Sequence, residues 1–175
     1  HIPISTFPGM SERTLTISSA AKTFGFTGWK IGWAHGPSEL LSAVRIAKQF
    51  LTYVNGAPFQ HAIAEALKLD ESYYINLALD MANKRDILCE GLEKAGFEVF
   101  RPSGTYYATV DIRPLGDEDG IEFCWDLPNR CGVVAVPNEV FYDNKNIGKP
   151  LVRFAYCKRP EVLDHAVEKL LSLKA

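Results

Sequence analysis

The sequence predicts an α/β segment followed by an α+β lobe. Three observations carry that reading. Short runs rich in β-branched residues alternate with apolar-periodic stretches up to about Leu69. The stretch Glu71 to Ala95 then reads as one long helix, closed by Gly96. Beyond Gly96 the texture changes to short strands punctuated by Gly and Pro, ending in a helix with Pro160 in its first turn.

Taken in order, Thr14 to Ser18 alternates and forms the first strand. Lys30 to His35 forms the second, with Gly32 allowing a neighbouring backbone to approach closely. Pro37 and Ser38 start a helix in which Leu40, Leu41, Val44, Ala47 and Leu51 recur at helical spacing. The break Gly56-Ala57-Pro58 precedes another helix through Leu69. In the long helix, Tyr74, Leu77, Met81, Ile87 and Leu88 lie near one face, and Lys84, Arg85 and Asp86 are expected on the wet side. Phe97 to Phe100 and Thr105 to Ile112 are short strands, and Gly120 to Cys131 a helix with Pro128 as its point of interruption. Gly132 to Val136 is a strand stopped by Pro137, Val152 to Tyr156 another, and Pro160 to Leu173 the terminal helix. The polar run 143–149 is expected to be a mobile loop. The boundary falls in the long helix, giving segments 1–76 and 77–175.

Bulk composition excludes several function classes. At 47% hydrophobic the chain can bury a substantial core, while a net charge of −2 leaves no electrostatic footprint for nucleic acid or an anionic membrane. No apolar run reaches the length of a membrane span, and the start carries no signal-peptide pattern. Cys89, Cys124, Cys131 and Cys157 make no C-x-x-C pair, so they read as free thiols of a reducing, cytoplasmic compartment. His35, His61 and His165 have no ligand spacing, and no metal is expected. The opening His1-Ile2-Pro3-Ile4 reads as the middle of a longer polypeptide.

Chemistry concentrates in the run from Thr14 to Trp33. An alternating strand delivers Ser18 and Ser19, then Lys22, into a Gly-rich turn, and Lys30 follows just before the next strand. A free lysine, with a pKa of about 10.4, is protonated at neutral pH and a poor nucleophile; burial beside a second cation lowers that pKa. Lys22 so placed can form a Schiff base with a carbonyl cofactor whose phosphate rests on Ser19 and Lys30. Taken singly, a turn lysine is ordinarily solvated and a turn serine is ordinary turn chemistry; it is the combination that points to a site. Arg153, inside the apolar strand Leu151-Val152-Arg153-Phe154, needs a partner: a protein carboxylate or a substrate carboxylate held by the guanidinium fork. Tyr53, Asn55 and the Gly104-Thr105-Tyr106-Tyr107 segment can line a pocket, though aromatic residues fill cores more often.

These motifs, together with Ala57-Pro58-Phe59-Gln60, Arg85-Asp86-Ile87-Leu88 and Gly132-Val133-Val134-Ala135-Val136-Pro137, resemble the fold-type I pyridoxal-phosphate aminotransferases. The resemblance is strongest to the branch holding N-succinyldiaminopimelate aminotransferases and kynurenine/glutamine transaminases. It implies the C-terminal part of the large cofactor domain followed by the small α+β domain. It also implies pyridoxal 5′-phosphate as cofactor, amino-acid and 2-oxo-acid substrates and a homodimer. Position by position, Lys22 matches the lysine that binds the cofactor covalently and shuttles a proton. Ser19 and Lys30 match phosphate ligands, Arg153 the clamp on the substrate carboxylate, and Tyr53 a residue that reaches toward the partner subunit's pocket. Many relatives carry arginine at the position of Lys30; lysine keeps the charge and loses the bidentate fork.

One absence matters. In such enzymes the N-terminal half supplies the aspartate on the pyridine nitrogen, the groups on the ring hydroxyl and the stacked aromatic, and no residue of this chain matches them. The chain therefore resembles the C-terminal half, and the 175 residues alone are expected to have little activity. Transfer from N-succinyldiaminopimelate to 2-oxoglutarate, in lysine biosynthesis, is the implied reaction. The alternatives are a kynurenine/glutamine transaminase, or a non-catalytic folded remnant that self-associates through exposed apolar surface. Ser19-Ala20-Ala21-Lys22 also fits the S-x-x-K pattern of serine acyl enzymes, but the accompanying S-D-N and K-T-G are absent.

Overall fold

An antiparallel hairpin opens the fold. In the computed structural model, which describes residues 1–174, β1 (Thr16–Ser19) pairs with β2 (Gly32–His35) in the register Thr16↔His35 to Ser19↔Gly32. Gly32 is required at that last pair, because a Cβ there would stand 2.7 Å from the Ser18 carbonyl oxygen. Two compact units follow from the contacts, His1–Leu77 and the remainder from Ala78.

In the first unit, one helical turn, α1 (Ala20–Thr23), grows directly from β1. Ser19 ends the strand with extended backbone and caps the turn, its Oγ accepting from Ala21 N–H at 3.1 Å. Next come α2 (Ser38–Leu51) and α3 (Ala57–Ala66), the latter with Pro58 in its first turn and Gly56 before it at φ 48°. Ala20, Phe24, Ile31 and Ile63 form the unit's core, with Trp29, Trp33, Ala66 and Tyr74 packed on it. The helix expected from Leu40 to Leu51 forms, but none of its residues is buried. Phe50 and Leu51 are 82% and 81% exposed. The periodicity there records a face that this unit does not cover.

The helix α4 (Glu71–Ala95) leads into the second unit. Asp70 accepts from Ser72 N–H at 2.9 Å at its start. Lys84, expected on the wet side, is instead mostly buried along its stem and pairs with Asp80 at 2.6 Å. The unit's sheet is antiparallel throughout, built from β3 (Glu98–Phe100), β4 (Tyr107–Asp111), β5 (Val136–Pro137) and β6 (Leu151–Ala155) in the order β3-β4-β6-β5. The helices α5 (Gly120–Cys131), α6 (Lys145–Gly148) and α7 (Pro160–Leu171) complete it. Ala108 and Val110 of β4 and Val152 and Phe154 of β6 face a core shared with Leu88, Leu92, Phe123, Leu127, Leu163 and Leu170. Each such large side chain contributes about 1.5–3 kcal/mol on burial. The alternate residues Tyr107, Thr109 and Arg153 point to the opposite face.

Three local expectations are corrected. Pro128 does not interrupt α5, which runs on to Gly132 at φ 74°. Of the strand expected over 132–136, only Val136 pairs with β6, joined by Pro137. The polar run 143–149 contains a helical turn, and Gly148 packs so tightly on Glu139 and Tyr142 that a Cβ would stand 2.8 Å from each.

Candidate active site

Ser19 ends β1, Lys22 lies in α1 just after it, and Lys30 lies two residues before β2. Ser19 closes the β1–β2 ladder opposite Gly32, and Ala20 N–H donates to the Ile31 carbonyl at 3.0 Å just beyond it. The connection from α1 to Lys30 is therefore anchored on both sides. Ala20 and Phe24 are buried beneath α1, and Lys22 projects from its exposed side. Phe26, Trp29 and Phe59 stack in series, with centroids 4.3 and 4.6 Å apart. Tyr73 O–H donates to the Thr23 carbonyl at 2.7 Å.

Lys30 takes left-handed backbone, φ 56°, a conformation that costs a non-glycine residue about 1–3 kcal/mol. Its carbonyl accepts from Asn55 Nδ2 at 2.5 Å, and Gln60 Nε2 in turn donates to the Asn55 carbonyl at 2.6 Å. Tyr53, at φ 57° and exposed, shares a cavity of about 220 Å³ with Asn55, Ile31 and Lys48. The sequence expected a sheltered amine at Lys22; in this unit the residue is exposed.

The second unit holds Arg153. The sequence left a protein carboxylate and a substrate carboxylate open as its partner, and the structure gives a different neighbourhood. The guanidinium lies between two rings, 4.3 Å from the Tyr107 centroid and 4.0 Å from that of Phe141. Among the described residues no carboxylate lies within ion-pair distance of it, and its buried Nε has no hydrogen-bond partner. A guanidinium packed on ring faces can still bind a carboxylate as a fork along its plane. A cavity of about 520 Å³ opens there, with Tyr106, Tyr107, Thr109, Asn138, Phe141 and Arg153 in its wall.

Hydrogen bonds tie the wall to its surroundings. Tyr156, 1% exposed, donates its hydroxyl to the carbonyls of Thr105 (3.0 Å) and Gly104 (3.2 Å). Burial pushes that hydroxyl's pKa above its ordinary value of 10.0. Thr105, at φ 71°, is the third non-glycine residue in left-handed backbone. Arg85 donates to the Pro102 carbonyl at 3.3 Å and to Asp86 at 2.8 Å, and Arg101 meets Asp86 at 2.9 Å. The hydrogen bond from Arg85 holds the Asp86 carboxyl below its usual range. Phe141, Asn138 and Tyr156 escaped the sequence reading: the first two follow Pro137 at the end of β5, and Tyr156 sits in a strand pattern that reads as core.

Residues 3–170 match the family model for aminotransferase class I and II, and the chain belongs to that family, the fold-type I aminotransferases. Over 178 residues it is 48% identical to the probable N-succinyldiaminopimelate aminotransferase DapC of Mycobacterium tuberculosis, covering 97% of this chain and 45% of that protein. It is 37% identical over 194 residues to a kynurenine–oxoglutarate transaminase of Dictyostelium discoideum, covering 99% and 45%. The solved structure of the N-succinyldiaminopimelate aminotransferase from Mycobacterium tuberculosis matches with a TM-score of 0.91 at 50% identity, covering 99% of this chain and 45% of that one. The chain thus spans about half the length of the curated relatives it matches. Family members depend on pyridoxal phosphate and act on amino acids and 2-oxo acids. Among the described residues no helix is long and apolar enough to cross a membrane, and no cluster of His, Cys, Asp and Glu could hold a metal.

Proposed function

We propose that this chain is the C-terminal half of a pyridoxal-phosphate-dependent aminotransferase that takes its amino group from N-succinyldiaminopimelate and passes it to 2-oxoglutarate. Residues 1–76 are then part of the cofactor domain, and 77–175 the small domain. The observation that carries the reading is Arg153: a cation between two rings, without a protein carboxylate among the described residues, facing a cavity. Identity of 48% to a probable N-succinyldiaminopimelate aminotransferase supports that amino donor over kynurenine.

The residues at the hairpin end suit a phosphorylated carbonyl cofactor. Ser19 Oγ spends a lone pair on Ala21 N–H, so its own proton remains to donate to a phosphate oxygen. Lys30 adds positive charge from a backbone position fixed by Asn55. Lys22 supplies the amine that joins the cofactor covalently and afterwards carries a proton on Nζ to and from the substrate. Bound pyridoxal phosphate would supply the electrophilic carbonyl and the conjugated ring that accepts electron density. Arg153 holds the substrate carboxylate, and the rings beside it exclude water from that contact. The exposed apolar face of α2, followed by Tyr53 and Val54, is an interface with a second subunit.

The test is cofactor trapping. The purified chain is mixed with pyridoxal phosphate, reduced with borohydride and digested, and the modified lysine is located by mass spectrometry. Lys22 is expected to carry the label, and Ser19→Ala with Lys30→Ala to reduce it. Labelling spread over surface lysines and unchanged by Lys22→Ala would end the assignment. The chain alone, given an amino donor and 2-oxoglutarate, is expected to turn over little.

A further inference from the structure

The turn that carries Lys22 is too short to hold itself. Forming one helical turn costs more conformational freedom than its hydrogen bonds return, and its last carbonyls have no donor within the helix. In α1 the Phe24 N–H reaches back to the Ala20 carbonyl at 3.1 Å, and Ser19 caps the start. Ala20 and Phe24, 0% and 8% exposed, fix the inner side. The outgoing end is tied by a residue from a distant element. Tyr73, in the first turn of α4, donates its hydroxyl to the Thr23 carbonyl at 2.7 Å, one residue beyond Lys22.

Tyr73 is anchored for that task. Its backbone N–H donates to the Asp70 carbonyl at 3.0 Å. Its ring stacks on Phe24 with centroids 5.8 Å apart and meets the Tyr74 ring edge-on at 5.3 Å. We propose that Tyr73 is a positioning residue for Lys22: its hydroxyl holds the outgoing end of α1, and with it the direction in which the lysine amine is presented. The inference rests on Lys22 being the residue that joins the cofactor. A neutral primary amine joins an aldehyde by adding its nitrogen to the carbonyl carbon; the carbon–nitrogen double bond forms and the oxygen leaves as water. The nitrogen must first lie about 3–3.5 Å from that carbon and in line with it. Lysine reaches there on a flexible stem, so an α1 that frays at Thr23 spreads the amine over many directions. Ser19, the proposed phosphate ligand, lies at the other end of the turn. Loss of the Tyr73 hydroxyl therefore weakens the covalent contact and spares the phosphate contact.

Two ligands separate those contacts: pyridoxal 5′-phosphate, and 4′-deoxypyridoxine 5′-phosphate, which carries a methyl group in place of the aldehyde. Both are titrated into the full chain by calorimetry. Wild type is expected to bind the aldehyde more tightly, and Lys22→Ala to erase that preference. Tyr73→Phe, which keeps the ring, is expected to weaken the aldehyde about three- to fivefold, the range of one net hydrogen bond, and to leave the methyl compound unchanged. In the Lys22→Ala background, Tyr73→Phe is expected to change neither affinity. Tyr74→Phe removes the same atom from the neighbouring ring of the cluster and is expected to change neither affinity. An unaltered aldehyde affinity in Tyr73→Phe, an equal loss for both ligands, a loss that persists without Lys22, or the same loss in Tyr74→Phe each overturns the inference and leaves the Lys22 assignment standing. A wild type without the preference, or a preference that survives Lys22→Ala, overturns that assignment and the inference with it.

Discussion

Tyr156→Phe removes one oxygen and tests how the Arg153 wall is built. The hydroxyl serves two carbonyls, Thr105 at 3.0 Å and Gly104 at 3.2 Å, from a residue 1% exposed. A hydrogen bond of this kind contributes about 0.5–1.5 kcal/mol net, and stranding a buried acceptor costs about 1–3 kcal/mol. The carbonyls belong to residues that are themselves exposed, so water recovers part of that loss. The expected destabilisation is about 1.5 kcal/mol. In a unit of roughly 100 residues, that lowers the melting temperature by roughly 6–12 °C. The assay is urea unfolding of both proteins followed by far-UV circular dichroism, with hexanoate affinity measured in parallel. Affinity is expected to fall severalfold, because Thr105 relaxes from φ 71° and carries the neighbouring Tyr107 ring off the guanidinium. The pH dependence gives an independent sign. The buried hydroxyl titrates above 10.0, so the folded protein keeps a proton that the unfolded chain loses, and wild-type stability falls as pH rises past about 10. The phenylalanine variant lacks that component. An unchanged midpoint would refute the role of the hydroxyl in holding the loop. A lowered midpoint with unchanged affinity would refute the link from loop to arginine.

Other expectations are simpler. Phe50→Asp on the open face of α2 is expected to shift the protein toward monomer in analytical ultracentrifugation with little change in helicity; an identical sedimentation profile rejects that face as the interface. Iodoacetamide at neutral pH is expected to alkylate exposed Cys157 first, and Cys124 slowly because burial raises its pKa to about 11; peptide mass spectrometry reads the order. The hydrogen bonds from Arg113 hold buried Asp111 below its ordinary 3.8. Its contribution is present above that value and lost as pH falls through the folded one, so Asp111→Asn should flatten the acid limb of stability below about pH 4.

The parts legible in the sequence are those with local causes. The bounds Glu71 and Ala95 follow from the Asp70 cap and the Gly96 stop, which act within a few residues. The hairpin follows from β-branched alternation and from a glycine where another backbone must pass. Illegible parts have distant causes. The turn over Lys145–Gly148 packs Gly148 against Glu139 and Tyr142, contacts that the local pattern of 143–149 does not contain. Arg153 was visible as an arginine needing a partner. That the neighbours are Tyr107 and Phe141 depends on which strand lies beside β6, and only the sheet order fixes it. The apolar period of α2 was legible as a helix and misleading as a core, since a period shows that a face wants cover and not where the cover comes from.

Backbone strain links the two candidate regions by a common rule. Among the described residues, three non-glycine residues take left-handed backbone: Lys30, Tyr53 and Thr105. Each lies in a candidate site or the loop that shapes one, and each is held by a specific hydrogen bond. Asn55 Nδ2 grips the Lys30 carbonyl at 2.5 Å, Tyr53 N–H reaches the Lys48 carbonyl at 3.0 Å, and Tyr156 O–H holds the Thr105 carbonyl at 3.0 Å. At about 1–3 kcal/mol each, such conformations persist only where the surroundings over-determine them. Glycine would have met the same φ angles without strain. A side chain at those three positions therefore argues that the side chain, or the angle at which it is presented, is what the fold retains. Lys30 presents a charge, Tyr53 an exposed phenol, and Thr105 the turn into the Tyr107 ring over Arg153.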